Sequence, residues 1–245
     1  MDKGNHKDQS SMYKEIKKWF KRVSGLDRYH QRRDHQRAVR LHAVRSQYFP
    51  ALRQLVGPET SVITTNCFAG LIMQDLQLEY HSPTLGLYFM YPDYIEFLRH
   101  LEHYLKEAKI TFVEQSKYPL GNERRAKAKQ WYPIGLLDGK VEIHFLHYHT
   151  EEEAASKWYR RAARVNMDDL LVIGMDQNLC TAKDVEDFDL LPFKRKIMFS
   201  THDLPHLTCN VFLKEFQGDG QVGDPYRQGH IYYQHLCEKL LSGKK

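Results

Sequence analysis

The sequence has no long hydrophobic run and no paired cysteines. None of its apolar stretches approaches the roughly 20 residues that a membrane-spanning helix needs. Residues 1–30 are too charged to contain the apolar region of a signal peptide, so we expect a cytoplasmic protein. The four cysteines are far apart and include no C-x-x-C pair, and the sequence therefore predicts neither a disulfide framework nor a cysteine zinc site.

Convincing motifs for a cofactor or a metal ion are also missing. Gly218, Gly220 and Gly223 match the G-x-G-x-x-G pattern, but they lie near the end of the chain rather than between a first strand and its helix. Asp187 and Asp189 have the spacing with which some sugar-nucleotide transferases hold a divalent cation. They fall within a predicted helix, however, where side chains two positions apart point in different directions. We predict no cofactor and no metal site.

Basic residues are concentrated at the N-terminal end. Residues 1–45 hold thirteen Lys and Arg and five Asp and Glu, a net charge of +8. In residues 12–23, apolar side chains recur every three or four positions beside basic ones, which predicts an amphipathic helix. This helix would either bind the anionic inner membrane surface or pack on its own domain. A second basic helix is predicted from Arg28 to Tyr48, and no nucleic-acid-binding motif accompanies it, so we expect no nucleic-acid partner.

Strand-like and helix-like segments alternate through the rest of the chain, which is typical of α/β proteins. Asp138-Gly139 separates two apolar runs and is a common pair for a two-residue hairpin turn. We predict a basic helical region of residues 1–49 and an α/β domain of residues 50–245. The latter is expected to be a single three-layer domain whose mixed, mostly parallel sheet contains a β-hairpin. Residues 85–90 are predicted as a strand and residues 117–129 as a charged loop.

Polar residues cluster where the first predicted strand meets the helix that follows it. They are Asn66, Cys67, Gln74, Asp75, Ser82 and Thr84. Ligands of α/β proteins bind outside the carboxyl ends of the strands, so this is the candidate site. Cys67 would be a nucleophile if a helix N-terminus and a histidine lowered its pKa. Alternatively, these side chains satisfy backbone groups of turns and helix ends, and the sequence favours neither reading.

Several motifs in this order resemble a known bacterial family. They are Asn66-Cys67, Gln74-Asp75-Leu76, Tyr80 with Ser82 to Leu87, Asp93-Tyr94, Tyr132 to Gly135, Ile143 to Tyr148, and Trp158 with Arg160-Arg161. Over about residues 61–216, the sequence resembles a domain-of-unknown-function family of exopolysaccharide or capsular polysaccharide biosynthesis proteins. The resemblance implies a place in the pathway that builds surface glycans, whether exopolysaccharide, capsule or lipopolysaccharide, but no particular reaction.

The preferred hypothesis is a glycosyltransferase-like enzyme. It would move a glycosyl unit from a nucleotide sugar to a lipid-linked or saccharide acceptor. Asp75 is the candidate base for the acceptor hydroxyl, and His147 is the second candidate. The candidate substrate-binding residues are Asn66, Gln74, Ser82, Thr84, Tyr148 and Trp158, together with Arg160, Arg161 and Arg164, which would neutralise a diphosphate leaving group.

Two alternatives stand beside this hypothesis. The first is transfer of an acyl or phospho substituent to a glycan, with Cys67 or Ser82 as the nucleophile. Neither residue is accompanied by a G-x-S-x-G elbow or a phosphate-binding loop. The second is a non-catalytic scaffold or regulator of the glycan assembly machinery, which would explain why no recognisable catalytic motif is present.

Overall fold

The computed structural model describes residues 26–241, and the chain divides into two compact units between Ser46 and Gln47. In the first unit, helix α1 (Leu26–Ser46) confirms the second predicted basic helix. The amphipathic helix predicted for residues 12–23 lies outside the described residues. No helix within residues 26–241 is both long and apolar enough to cross a membrane.

The second unit alternates helices and strands. In chain order these are α2 (Phe49–Leu52), β1 (Ser61–Thr64), α3 (Phe68–Leu76), α4 (Tyr91–Arg99), α5 (Leu101–Lys106), β2 (Ile110–Val113), α6 (Pro119–Lys127), β3 (Ile134–Leu137), β4 (Val141–His144), α7 (Glu151–Ala162), β5 (Leu170–Met175), α8 (Ala182–Asp189), β6 (Lys196–Ser200), β7 (Asn210–Phe212), a 3-10 turn (Lys214–Phe216) and α9 (Pro225–Leu241). Thr181 and Asp184 begin α8 with a complete capping box, in which each side chain accepts a backbone N–H of the other residue.

The main sheet has four strands in the order β1-β5-β6-β7, and all of its pairings are parallel. Successive side chains of a strand point to opposite faces, and β1, β5 and β6 are buried on both faces, whereas the edge strand β7 is only partly buried. In β5, Val172 packs among residues of α4, α5, α7 and α8, whereas Leu171 and Ile173 pack among residues of α2, α3 and α9. The sheet is therefore the middle layer of three, which confirms the predicted α/β class.

A second, smaller sheet contains the predicted hairpin. Strands β2, β3 and β4 form it in sequence order, and both pairings are antiparallel. Asp138 and Gly139 have φ values of 48° and 69°, as the turn requires, but three residues rather than two separate the paired Leu137 and Val141. The hairpin was expected within the main sheet. Its place in a sheet of its own leaves the main sheet purely parallel.

Two local predictions were wrong. Residues 85–90 form no strand and make a single bridge, between Tyr88 and His144. Residues 117–129, predicted as a loop, contain helix α6. Pro119 occupies the first turn of that helix, where its missing N–H leaves no hydrogen bond unmade, and the arginines that follow are good helix formers.

Candidate functional site

A large cavity opens at the carboxyl edge of the parallel sheet. It has a volume of about 860 Å³, which lies within the range of roughly 300–1,000 Å³ common for small-molecule sites. Asn66 and Cys67, after β1, and Gln177 and Asn178, after β5, form its floor. Parallel strands bring these residues together because their carboxyl ends meet at one edge. The predicted position of the site, at the end of the first strand, agrees with this geometry.

Asn66 organises the floor of the large cavity. Its Oδ1 accepts a hydrogen bond from the Phe68 N–H at 3.0 Å, at the start of α3, and its Nδ2 donates to Gln177 Oε1 at 2.9 Å. Gln177 Nε2 in turn donates to the carbonyls of Val222 and Gly223, both at 2.9 Å. These bonds tie the ends of β1 and β5 to the segment before α9 and so fix the positions of the floor residues.

Helix α6 supplies the positive charge of the large cavity through Arg124 and Lys127. Arg124 donates to Asn178 Oδ1, and its guanidinium lies 5.6 Å from the centre of the Tyr88 ring. Within the described part of the chain its partners are thus neutral, and its charge is not compensated by a carboxylate. The sequence reasoning missed both residues. Their spacing of three would have placed them on one face if residues 117–129 had been read as a helix.

Tyr88 and Tyr132 form another wall of the large cavity. Their hydroxyl groups are 3.1 Å apart, and burial raises the pKa of Tyr88, so that its hydroxyl stays protonated and able to donate. Behind Tyr88, the buried His144 ring stacks on it with a centroid distance of 4.4 Å. His144 Nε2 is 2.8 Å from a carboxylate oxygen of Glu142, which is also buried. This buried pair holds the tyrosine wall in place from behind.

His147 lies between the large cavity and a smaller one of about 170 Å³, and it lines both. Burial lowers the pKa of His147, so the imidazole is neutral at pH 7 and can accept a proton. Its backbone N–H donates to the Gly86 carbonyl at 2.9 Å. Gly86 has a φ of +71°, and a Cβ there would lie 3.3 Å from His147 Cβ, so a glycine is needed at this position.

Asp224 lines the large cavity and supplies a carboxylate there. Its Oδ1 accepts the N–H of Tyr226 at 2.9 Å, at the start of α9, and its Oδ2 is 3.6 Å from Arg227 Nε. Sequence reasoning also missed this residue. An aspartate directly before Pro225 is a helix-start signal, but such a signal does not indicate that the carboxylate also faces a cavity.

Several predicted site residues do line the cavities. Gln74, Tyr148 and Arg161 line the small one, where the Tyr148 hydroxyl donates to the Leu85 carbonyl. Cys67 lines the large one, and its thiol donates to the Leu87 carbonyl at 3.5 Å. Burial raises the pKa of Cys67 to about 11, so at neutral pH it is a thiol rather than a thiolate.

Other predicted site residues lie in the interior. Asp75 is buried and accepts a hydrogen bond from the Tyr233 hydroxyl at 2.9 Å. Ser82 and Thr84 are fully buried, and Thr84 Oγ1 accepts the N–H of Thr64 at 3.1 Å. The Ser82 and Thr84 hydroxyls are 3.0 Å apart. This cluster holds the loop before α4 against the end of β1. Ser82 and Thr84 therefore fit the alternative in which these side chains satisfy backbone groups of turns.

Four predicted substrate-binding residues lie in α7 or just after it. Trp158 is buried in the core that packs on one face of the main sheet. Arg160 is exposed, and Arg164 forms an ion pair with Glu79. Arg161 lines the small cavity, whereas Arg160 and Arg164 line neither the small nor the large one. The structure therefore does not bring the three arginines together around one ligand position.

Comparison with known proteins gives a family but no activity. The sequence model of a domain of unknown function, DUF1919, matches residues 40–239. A protein of Haemophilus influenzae, named only as an uncharacterized protein, is 34% identical over 185 residues, which are 74% of this chain and 82% of that protein. Neither name states a reaction, a substrate or a pathway. The match extends beyond both ends of the resemblance seen in residues 61–216, and the chain belongs to the DUF1919 family of domains of unknown function.

Proposed function

We propose that the protein is a glycosyltransferase-like enzyme of bacterial surface-polysaccharide biosynthesis that binds a nucleotide sugar in the large cavity. The observation that carries this proposal is that Arg124, which has no carboxylate partner among the described residues, lines a cavity at the carboxyl edge of a parallel sheet. Lys127 lines the same cavity. The sequence motifs that resemble the polysaccharide-biosynthesis family support the pathway. The chemistry of the cavity supports the substrate class.

A nucleotide sugar matches the different walls of the large cavity. Its diphosphate carries the negative charge that Arg124 lacks among its described partners, and a guanidinium can bind two phosphate oxygens at once. Lys127, whose Nζ lies 3.7 Å from a Glu123 carboxylate oxygen, adds a second cation to the same cavity. Tyr88 and Tyr132 offer hydroxyls and aromatic surface to a base or a sugar ring. The volume of about 860 Å³ is enough for a ligand of this size.

His147 is the best-placed base for the transfer. As the acceptor oxygen bonds to the anomeric carbon of the donor, the bond from that carbon to the diphosphate breaks, and neutral His147 takes the acceptor's proton. Arg124 and Lys127 stabilise the negative charge on the leaving diphosphate. Asp224 is the second candidate base. We prefer His147 to Asp75 because the Asp75 carboxylate is buried against Tyr233.

Covalent substituent transfer has less support. The pKa of Cys67 is about 11, because burial disfavours its thiolate, and a thiol is a weak nucleophile. The other candidate nucleophile, Ser82, is fully buried beside Thr84.

Calorimetric titration with a panel of nucleotide sugars tests the proposal. We expect saturable binding of at least one of them, and a loss of about 10- to 100-fold in Arg124→Gln, since a charge-assisted hydrogen bond contributes about 1.5–3 kcal/mol. Arg160→Gln removes an exposed arginine that lines neither cavity and is the matched control. If no nucleotide sugar binds the folded protein, the proposal fails and the scaffold hypothesis gains.

A further inference from the structure

The small cavity contains a partly buried arginine, Arg161, that has no carboxylate partner among residues 26–241. Arg161 donates to the Tyr148 hydroxyl at 2.5 Å, and its NH1 is 3.5 Å from the Leu85 carbonyl oxygen. Its guanidinium lies 5.7 Å from the centre of the Tyr80 ring. All of these partners are neutral. A partly buried charge without a counter-charge costs free energy, so this position favours an anionic ligand.

The neighbouring arginines, Arg160 within α7 and Arg164 just after it, show that this arrangement is particular to Arg161. Arg160 is exposed to solvent, and Arg164 is paired with the Glu79 carboxylate. Lys157, which also lines the small cavity, is paired with Glu153 at 2.5 Å. Arg161 therefore differs from the other cations around it in having only neutral described partners.

Arg161 repeats, in the second cavity that His147 lines, the arrangement of Arg124 in the first. Each guanidinium donates to a neutral oxygen and lies over a tyrosine ring, and each lines one of the two cavities that His147 separates. Each of the two cavities that His147 lines thus contains one guanidinium without a carboxylate partner among the described residues, and this pattern matches two anionic substrates that meet at His147.

We propose that the small cavity is a phosphate subsite in which Arg161 binds a phosphate group of the second substrate, the acceptor. The identification of that substrate as the acceptor rests on the proposed function, whereas phosphate binding does not. The volume of about 170 Å³ is below the roughly 300–1,000 Å³ of typical small-molecule sites, so the cavity takes a phosphate with its adjoining atoms rather than a nucleotide. Gln74, which also lines the cavity, supplies an amide donor.

Calorimetric titration with methyl phosphate tests the subsite directly. Arg161→Gln is expected to bind methyl phosphate at least 10-fold more weakly than the unaltered protein, whereas the exposed control Arg160→Gln stays within twofold. The same comparison in an Arg124→Gln background removes any phosphate binding in the large cavity. Failure of the unaltered protein to bind methyl phosphate, or an equal loss in both variants, would overturn the subsite.

A second variant covers the case in which Arg161→Gln does not fold. Arg161→Lys keeps the charge but loses the planar group that can bind two oxygens, and we expect at least a threefold loss of affinity for methyl phosphate. Unchanged affinity in Arg161→Lys would overturn the assignment of the guanidinium. Acetate bound as tightly as methyl phosphate would overturn the preference for phosphate.

The two proposals fail separately. Nucleotide-sugar binding is expected to depend on Arg124 and to be unchanged in Arg161→Gln. Methyl phosphate binding that persists in the Arg124→Gln background is expected to depend on Arg161. If methyl phosphate binding depends on Arg161 but no nucleotide sugar binds, the subsite stands and the glycosyltransferase proposal fails. An isoprenyl phosphate and glucose 1-phosphate distinguish the sources, since a gain in affinity over methyl phosphate by either one supports the subsite and shows whether the phosphate is lipid-linked or saccharide-linked.

Discussion

Burial decides which of the polar residues near the sheet edge can take part in chemistry. Cys67 and His147 both line the large cavity, and burial shifts their pKa values in opposite directions. Loss of water raises the pKa of the Cys67 thiol and keeps it protonated, whereas it lowers the pKa of His147 and keeps it a free base. The surroundings therefore suppress a nucleophile and favour a general base.

Cys67 is expected to react slowly with alkylating reagents. With a pKa of about 11, only about one molecule in a thousand carries the thiolate at pH 8. Iodoacetamide labelling of Cys67 at pH 8, followed by mass spectrometry, is expected to be at least 10-fold slower than that of a free thiol, with Cys67→Ala as the blank. Labelling at the rate of a free thiol would contradict the account of its burial.

His147 predicts the pH dependence of transfer. A base must be unprotonated, so the rate falls as the pH drops through the pKa of His147. Because burial lowers that pKa below its usual 6.5, the rate is expected to be flat at neutral pH and to fall only in acid below about 6.5.

The measurement is the pH profile of kcat/KM. His147→Gln is expected to reduce the rate about 100-fold or more and to abolish the fall in rate at acid pH, the acid limb of the profile. Asp75→Asn keeps the shape of the side chain and is expected to retain the limb. A limb that disappears in Asp75→Asn but survives in His147→Gln would assign the base to Asp75 instead.

At the scale of elements, α6 was the main omission of the sequence reasoning. Strands β1, β5 and β6, helix α8 with its cap and the position of the candidate site could all be predicted from local patterns. Helix α6 has no apolar stripe, and only Gly121 of its residues is buried, so periodicity could not reveal it. The position of Arg124 in the cavity depends on a tertiary contact with Asn178, which no local pattern encodes.

Gly121 fixes how closely α6 approaches the small sheet. A Cβ at this position would lie 2.7 Å from His144 Cε1 and still closer to Ser116 Oγ. Gly121→Ala is therefore expected to destabilise the protein by about 1–3 kcal/mol, because the helix must shift to make room. Gly57→Ala, whose nearest contact is 3.8 Å away, is the control. Denaturant unfolding measures both, and equal stability of the two variants would contradict this packing account.

At the scale of the whole molecule, the basic residues are concentrated at the N-terminal end of the chain. Residues 1–45 carry thirteen Lys and Arg against five Asp and Glu, and we propose that residues 12–23 bring the protein peripherally to the anionic inner membrane surface. Each basic residue near such a surface contributes about 1 kcal/mol before screening by salt.

Deletion of residues 1–25 tests this membrane proposal. The shortened chain is expected to bind anionic vesicles at least 10-fold more weakly in a sedimentation assay, and neutral vesicles are the control. A melting temperature measured in parallel separates loss of binding from loss of stability. Undiminished binding to anionic vesicles would mean that this segment is not the membrane anchor.

The central claim is that the cavity at the sheet edge transfers a sugar in glycan assembly. Its most direct test is mass analysis of the surface glycan from cells that produce Arg124→Gln in place of the unaltered protein, with Arg160→Gln cells as the control. The account predicts a glycan that lacks a sugar, or is not made, in the Arg124→Gln cells alone. A complete glycan, or one that lacks only an acyl or phospho substituent, with the variant folded and present, would contradict it.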